Sequence, residues 1–169
     1  MLDAPTPHTD HRIAALLLHH EIDQFNARYA AALDAQRLTE WTEMFTPDAF
    51  YLVTSRENAD RGLPVGLIYC EGQGMIRDRA FALEKTAMFA PRYLLHFVSN
   101  TRILGIADDV ISAQSNYLVL QTLVDEKTTL HQAGRYFDRF VRGGERLLLK
   151  ERHCVYDTLL IDNSLVMPI

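Results

Sequence analysis

The sequence is poor in the features that mark secreted, membrane-spanning and nucleic-acid-binding proteins. Only two of its 169 residues are cysteines, Cys70 and Cys154. We interpret both as reduced thiols, with a single bridge as the alternative, because a disulfide framework uses more. The longest apolar run near the start, residues 13–18, is far shorter than a membrane span. The 17 basic residues form no cluster and the net charge is -5, which disfavours phosphate backbones and anionic membranes. We therefore expect a cytoplasmic protein that binds neither nucleic acid nor membranes.

Common cofactor and nucleophile motifs are missing as well. There is no Gly-x-Ser-x-Gly segment and no phosphate-binding loop, and Gly72-Gln73-Gly74 lacks the rest of a dinucleotide fingerprint. A Rieske cluster needs Cys-x-His and Cys-x-x-His pairs. Here Cys70 is followed by Glu-Gly-Gln and Cys154 by Val-Tyr-Asp. The sequence therefore predicts no nucleotide or iron–sulfur site in this chain.

Seven histidines still supply material for a metal site. His19 and Asp23 are four residues apart on a predicted helix and share a face, whereas the adjacent His20 points about 100° away. Three further histidines fall on three different predicted strands: His96, His131 and His153. They would converge only in a strongly curled sheet. Since each also fits an ordinary structural role, we expect neither a metal nor a catalytic residue, and the three-histidine cluster stays as an alternative.

The first part of the chain is helical. Residues 1–12 carry two prolines and predict a flexible arm, followed by one domain over residues 13–169. The first helix has one apolar stripe, formed by Leu18, Ile22, Phe25, Tyr29 and Leu33. A short second helix carries Leu38, Trp41 and Phe45.

Two short strands, a long loop and a third helix come next. The strands are predicted at residues 50–54 and 67–70, with the loop at 55–66 between them. The helix begins after Gly72 and Gly74 and ends before Pro91. Its buried face is formed by Ile76, Ala80 and Leu83.

The second half of the chain reads as four long strands. The β-type runs cover residues 92–104, 110–124, 128–141 and 146–160, and short polar or Gly-rich turns join them. Helices followed by a meander indicate an α+β fold. Long strands twist, so we expect three helices packed on a strongly curved antiparallel or mixed sheet that closes into a cone.

A cone open at one end offers a pocket, which leaves two main functional classes; a third, a small-molecule binding module, rests on the same pocket as the first. In the first, a stand-alone dehydratase, isomerase or hydrolase would use Asp48 or Tyr51 with His96 or Asp157 as an acid/base pair. In the second, the pocket is filled by large side chains and the protein is a structural subunit. The predicted filling residues are Trp41, Phe45, Phe50, Tyr93 and Phe97. The strands at 92–104 and 110–124 are apolar on both faces, and a second covered face favours a partner subunit.

Several segments, taken in order, resemble the small (β) subunit of Rieske-type aromatic-ring-hydroxylating oxygenases. The matching residues begin with Phe25-Asn26-Ala27-Arg28-Tyr29 and Trp41-x-x-x-Phe45-Thr46-x-Asp48-Ala49-x-Tyr51, followed by Arg92-Tyr93-Leu94-Leu95-His96-Phe97-Val98-Ser99-Asn100. They continue with Gly134-Arg135-Tyr136-Phe137-Asp138, Glu151-Arg152, Asp157 and Met167-Pro168-Ile169. The segment 63–72 is similar to the branch that acts on aromatic carboxylates such as salicylate, anthranilate, terephthalate or halobenzoate.

The resemblance implies a cone-shaped fold of the nuclear transport factor two-like, or cystatin-like, type. It also implies a hexamer of three large (α) and three small subunits, with the small subunits in contact with one another. The large subunit would carry the Rieske [2Fe–2S] cluster and the mononuclear Fe(II), and would receive electrons from a ferredoxin or reductase. The small subunit would be non-catalytic. Candidate interface or structural residues are His96, Asn100, Arg102, Tyr136, Asp138, Arg152 and Asp157.

Overall fold

The structure, a computed structural model, describes residues 7–86, 88–158, 160 and 165–169. Its helices are α1 (Pro7–Asp34), α2 (Leu38–Thr42), α3 (Arg56–Asp60) and α4 (Gly72–Lys85). Its strands are β1 (Phe45–Ser55), β2 (Ile68–Glu71), β3 (Arg92–Ala107), β4 (Val110–Leu123), β5 (Thr129–Gly143) and β6 (Arg146–Tyr156). None of the described helices is long and apolar enough to cross a membrane.

One mixed sheet of six strands organises the molecule, in the order β2-β1-β6-β5-β4-β3. Strands β3 to β6 form the predicted antiparallel meander, and β1 joins β6 in parallel. Register shifts interrupt each pairing within the meander, and such bulges bend and twist a sheet. The α+β cone expected from the sequence is therefore confirmed.

The turns of the meander follow from local chemistry. Asp108 and Asp109, between β3 and β4, both have positive φ (51° and 62°), as a two-residue hairpin turn requires. Gly134 in β5 lies so close to β6 that a Cβ atom would collide with the Val155 carbonyl and approach the Tyr117 hydroxyl at 2.8 Å. Only glycine fits this position of the Gly-Arg-Tyr segment.

Helix α1 buries the predicted apolar stripe. Ile22, Phe25, Tyr29 and Leu33 are at most 1% exposed, and Leu18 packs at the edge of the core. The helix begins at Pro7 rather than after a twelve-residue arm. Proline is well tolerated in the first turn of a helix, and Asp10 complements the N-terminal end of the helix dipole. Residues 1–6 of the predicted arm lie outside the described residues.

Two local predictions were wrong. Phe45 does not continue the second helix but begins β1, where it pairs with Leu149 of β6. The loop at 55–66 contains helix α3, whose first turn is capped because the Ser55 hydroxyl accepts a hydrogen bond from the Asn58 N–H. In the third predicted helix, α4, Ile76 and Ala80 are buried and Leu83 packs against the core, as expected.

Candidate functional site

The interior of the cone contains a fully buried ion pair. Arg152 of β6 donates from Nε and Nη2 to the two carboxylate oxygens of Asp138 in β5, both at 2.8 Å. A third bond from Nη2, at 2.7 Å, reaches the Asn26 side-chain oxygen on α1. Neither charged side chain has solvent-accessible surface. Bidentate geometry makes this the kind of buried pair that resists disruption.

Two tyrosine rings hold the guanidinium from either side. The Arg152 Cζ atom lies 4.1 Å from the ring centroid of Tyr29 and 4.1 Å from that of Tyr136. Tyr117 stacks on Tyr136 with a centroid distance of 4.4 Å. Helix α1 and strands β5 and β6 therefore meet at one cation, and β4 packs against Tyr136 through Tyr117. Tyr136, Asp138 and Arg152, three of the candidate residues, lie in this core and not at the surface.

The segment 165–169 returns to the interior and fills it. The Ile169 carbonyl oxygen accepts hydrogen bonds from the Tyr29 hydroxyl at 2.8 Å and the Tyr51 hydroxyl at 2.9 Å. Ile169 and Met167 are at most 3% exposed. Arg79 of α4 donates from Nη2 to the carbonyls of Leu165 and Val166. This segment thus links α1, β1 and α4 through the inside of the cone.

Two interior hydroxyls, of Tyr29 and Tyr51, and the thiol of Cys154 donate to the Ile169 carbonyl oxygen. Burial raises the pKa of Tyr29, Tyr51 and Tyr136 well above the ordinary value for tyrosine. Burial likewise raises the pKa of the Cys154 thiol. These groups therefore stay protonated at neutral pH, which suits hydrogen bonding to a carbonyl and not nucleophilic catalysis. Cys154 and Cys70 are both free and buried.

The filled pocket was predicted, but with partly different residues. Trp41 and Phe45 are buried in the core, as expected. Tyr93 and Phe97 instead lie on the outer face of β3, 71% and 49% exposed. Phe50 faces outward too, where its ring packs against Tyr69 and His153. The alternation along the first part of β3, residues 92–99, places the odd-numbered residues outside. The filling role of residues 165–169 was missed.

The acid/base pairs considered for a stand-alone enzyme do not form. Asp48 is exposed, and a hydrogen bond from the Thr46 hydroxyl lowers its pKa. Asp157 forms an ion pair with Arg56, which lowers the pKa of that carboxyl. Tyr51 is committed to Ile169. Each group is engaged in a separate place, so the structure assembles none of these pairs into a catalytic dyad.

His96 is bound by a carboxylate that sequence reasoning missed. Its Nδ1 atom lies 2.6 Å from Asp34 Oδ1, and its backbone N–H also donates to the Asp34 carboxylate. Asp34 is the last residue of α1, so this contact ties the end of the helix to the edge strand β3. The side chain of His96 is fully buried, and its Nε2 atom has no hydrogen-bond partner among the described residues.

The remaining candidate residues lie at the surface. Asn100 and Arg102 are exposed on β3, at a bulge where Asn100 adopts a positive φ of 55°. Asparagine accepts that conformation more readily than most residues. Asp157 follows β6 and lies between Arg56 and Arg135. These positions stay candidates for contact with another subunit.

The histidines are dispersed. His19 lies 3.2 Å from Asp23, as the helical spacing predicts, but its Nε2 atom pairs with the Thr101 carbonyl. His96 and Cys154 point into the cone, whereas His153, the residue before Cys154, lies on the opposite face. The structure groups no three His, Cys, Asp or Glu side chains in a metal-binding arrangement within the residues it describes.

The outer face of the sheet is apolar and uncovered in the isolated chain. Neighbouring strands place Leu95 opposite Leu120, Phe97 opposite Leu118, and Leu120 opposite Leu130. Together with Tyr93 these residues form what we call the outer patch: Tyr93, Leu95, Phe97, Leu118, Leu120 and Leu130. Five of them are at least 36% exposed. Exposed apolar patches of this kind mark protein–protein contacts.

Sequence comparisons identify relatives over most of the chain. Residues 28–163 match the family model described as the ring hydroxylating beta subunit. The small subunit of anthranilate 1,2-dioxygenase from Burkholderia cepacia is 38% identical over 88% of this chain and 92% of that protein. The beta 2 subunit of the terephthalate 1,2-dioxygenase terminal oxygenase component from Comamonas sp is 30% identical, over 88% of this chain and 97% of that protein.

A solved structure agrees with the sequence comparisons. It is a beta subunit assigned to an aromatic-ring-hydroxylating dioxygenase of Novosphingobium aromaticivorans. It superposes with a TM-score of 0.84 at 40% identity, over 92% of this chain and 99% of that chain. Similarity in both sequence and fold thus extends over nearly the whole length of both chains.

Proposed function

The chain belongs to the family of ring-hydroxylating beta subunits, and from that premise we propose that it is the non-catalytic, structural small subunit of a Rieske-type aromatic-ring-hydroxylating oxygenase. The single observation that carries the structural role is the filled cone. A fold that elsewhere can hold a pocket is here occupied by residues 165–169, whose carbonyl at Ile169 is bound by Tyr29 and Tyr51.

The iron chemistry belongs, in this proposal, to a partner chain. The large subunit carries the Rieske [2Fe–2S] cluster and the mononuclear Fe(II), and receives electrons from a ferredoxin or reductase. Three large and three small subunits assemble, with contacts between the small subunits. Two observations support this division. A cysteine binds a metal as its thiolate, and burial raises the pKa of the Cys154 thiol. A zinc or iron site also needs several ligand side chains close together, and the histidines described above lie apart. The two free buried thiols support a cytoplasmic location.

The substrate we propose for the complex is an aromatic carboxylate. The relatives named above are subunits of dioxygenases for anthranilate and terephthalate, which are both carboxylated aromatic compounds. In this proposal the sequence of the small subunit reflects its relationship to these dioxygenases, and the small subunit takes no part in oxygenating the aromatic ring.

The outer patch is the surface we propose for subunit contact. Aromatic and large aliphatic side chains are the residues that protein interfaces favour. The exposed polar candidates Asn100 and Arg102 lie on the same strand as Tyr93, Leu95 and Phe97, and form a polar margin beside the apolar centre. The buried candidate residues stabilise the shape of the sheet that carries this patch. They are His96, Tyr136, Asp138 and Arg152.

Co-expression tests the proposed function directly. The chain is produced with affinity-tagged large subunits of oxygenases for anthranilate, terephthalate and salicylate, and the purified material is analysed for subunit ratio and iron. We expect an equimolar complex in which all the iron accompanies the large subunit. The chain purified alone should bind no iron and turn over no aromatic carboxylate. Iron-dependent oxygenation by the lone chain, or the absence of a complex with every large subunit, would contradict the proposal.

A further inference from the structure

One edge of the sheet is formed by β3, and only part of that edge is covered. In the strand order β2-β1-β6-β5-β4-β3, the neighbour of β3 is β4 on one side, and the other side is free of strands. Side chains of α1 and of the turn that follows it bind the backbone of β3 on this free side. These contacts join Gln36 to the Arg92 carbonyl, Asp34 to the His96 N–H, and His19 to the Thr101 carbonyl.

Between these contacts the backbone of Val98 lacks a partner. In an antiparallel strand the N–H and C=O groups of successive residues point alternately to the two sides. Since the His96 N–H points to the free side of β3, the N–H and C=O of Val98, two residues further on, point to that side too. Among the residues that the structure describes, none binds these two groups there. An unpaired stretch at a strand edge is a template for a further strand.

A cleft of about 800 Å³ leaves room beside this stretch. One wall is formed by residues 96–101 of β3, and the other by α1. The α1 wall carries Ala27, Ala30 and Ala31, whose short side chains leave the strand edge open. We call this feature the α1–β3 cleft. It suits an extended backbone, which lies about 4.8 Å from the strand with which it pairs.

Hydrogen bonding and position together indicate the occupant of the cleft. A strand edge pairs with another backbone, because an extended chain offers N–H and C=O groups at the matching spacing. Phe97 lines the cleft and is also a member of the outer patch, so a chain that covers the patch at the β3 edge reaches the cleft as well. We propose that an extended segment of the large subunit enters the α1–β3 cleft and pairs with β3 at Val98. This inference rests on the proposed function, because it takes the large subunit as the partner that covers the outer patch.

Hydrogen–deuterium exchange tests the pairing in the unaltered chain. The Val98 N–H should exchange at least about tenfold more slowly in the complex with the large subunit than in the chain alone, because a new strand would bind it. The Phe97 N–H is the internal control. It points to β4, where Phe97 is paired with Leu118 in the chain alone, so its exchange rate should change less.

Two substitutions at Val98 test the same hydrogen bond through affinity. Val98→Pro removes the N–H, and proline is tolerated where that group faces a free strand edge. Val98→Ala is the matched control, since it shortens the same side chain and keeps the N–H. We expect Val98→Pro to weaken binding to the large subunit about tenfold more than Val98→Ala does. Circular dichroism and urea unfolding show whether both variants are folded, and the exchange measurement does not depend on them.

Each other outcome overturns the inference in a distinguishable way. If the complex forms and the Val98 N–H exchanges as fast as in the chain alone, or if two folded Val98 variants bind equally, no strand pairs with β3 there, while the proposed function stands. If exchange slows in the chain alone as its concentration rises, a second copy occupies the edge instead of the large subunit. If the unaltered chain binds no large subunit, the proposed function itself fails and the inference fails with it.

Discussion

The two faces of the sheet contrast sharply. The inner face holds a charged pair, several tyrosines and a returning chain segment, and nearly all of these are inaccessible to solvent. The outer face holds leucines and aromatic rings, of which Tyr93 is 71% exposed. The interior thus encloses a charged network within an apolar core, whereas the outer face leaves large apolar side chains exposed, as few monomeric domains do.

The contrast shows which face carries the function. On the inner face, Arg152 binds Asp138, and Tyr29 and Tyr51 bind the backbone of Ile169, and these bonds help to fix the shape of the sheet. Exposed apolar groups lower the free energy of the molecule only when another surface covers them. A packed interior combined with an uncovered apolar surface is what a subunit of a larger complex is expected to have.

The largest effect is expected from breaking the interior ion pair. Asp138→Ala removes the carboxylate that binds Arg152 and leaves a buried, unpaired guanidinium. We expect the free energy of unfolding to fall by about 3–5 kcal/mol, measured by urea denaturation of the isolated chain.

The double variant Asp138→Leu/Arg152→Met is the control for this pair. It removes both charges and keeps comparable volume, so it should recover most of the lost stability. A loss below about 1 kcal/mol for Asp138→Ala would mean that solvent or another group compensates the Arg152 cation. The inner face would then not hold the ion pair in a solvent-excluded environment.

A somewhat smaller effect is expected from the returning segment. Ile169→Ala keeps the backbone carbonyl that Tyr29 and Tyr51 bind but removes a side chain with no exposed surface. Loss of burial and the resulting cavity should cost about 2–4 kcal/mol in the free energy of unfolding. Ile13→Ala, at a 48% exposed position of α1, is the matched control and should cost less than about 0.5 kcal/mol. Equal effects of the two substitutions would show that residues 165–169 do not fill the cone in solution.

A substitution on the outer face should leave the stability of the isolated chain nearly unchanged and should weaken assembly with the large subunit. Phe97→Glu places a charge in the outer patch at a 49% exposed position, so the stability of the isolated chain should change by no more than about 0.5 kcal/mol. Co-purification with the large subunit should fall strongly, because interface centres exclude unpaired charge. Phe81→Glu, an equally drastic change at a 61% exposed position of α4, should leave assembly intact. Assembly that survives Phe97→Glu would remove the outer patch from the interface.

Much of this architecture is predictable from sequence periodicity. The stripe from Leu18 to Leu33 requires one buried helix face, and the four long runs after residue 92 require a meander, because side-chain direction repeats every 3.6 residues in helices and every two in strands. Both predictions are confirmed. The same period assigns Tyr93 and Phe97 to one face of β3, but does not say which face is inside.

Long-range contacts account for what the sequence does not reveal. Asp34 and His96 are 62 residues apart, and Tyr29 and Ile169 are 140 residues apart. Local sequence preferences do not predict such a contact, because the contact depends on the register of the strands across the whole sheet. Arg152 could be identified as a motif residue but not as a buried one, because a lone arginine is usually exposed. Its partners Asp138 and Asn26 come from two other elements.

The smallest effect concerns His153, a titratable residue that lies among aromatic side chains on the outer face. It lies beside the Phe50 ring, 5.2 Å between centroids, and opposite Phe137. Burial lowers its pKa, while the negative charges of Glu151 and Asp138 oppose that shift. A folded-state pKa below the unfolded value of about 6.5 favours the neutral ring, so this contribution is complete above that pH and is lost as the pH falls through the folded-state pKa.

Because the ring is 36% exposed, solvent screening should keep the loss between pH 7.5 and 5 below about 1 kcal/mol. His153→Gln removes the titration, and the difference between the two urea-unfolding profiles over this pH range isolates the contribution of the histidine. If the unaltered chain instead gains stability over His153→Gln on acidification, then Glu151 dominates the environment of the ring. The outer face would then be more polar at this position than its aromatic neighbours indicate.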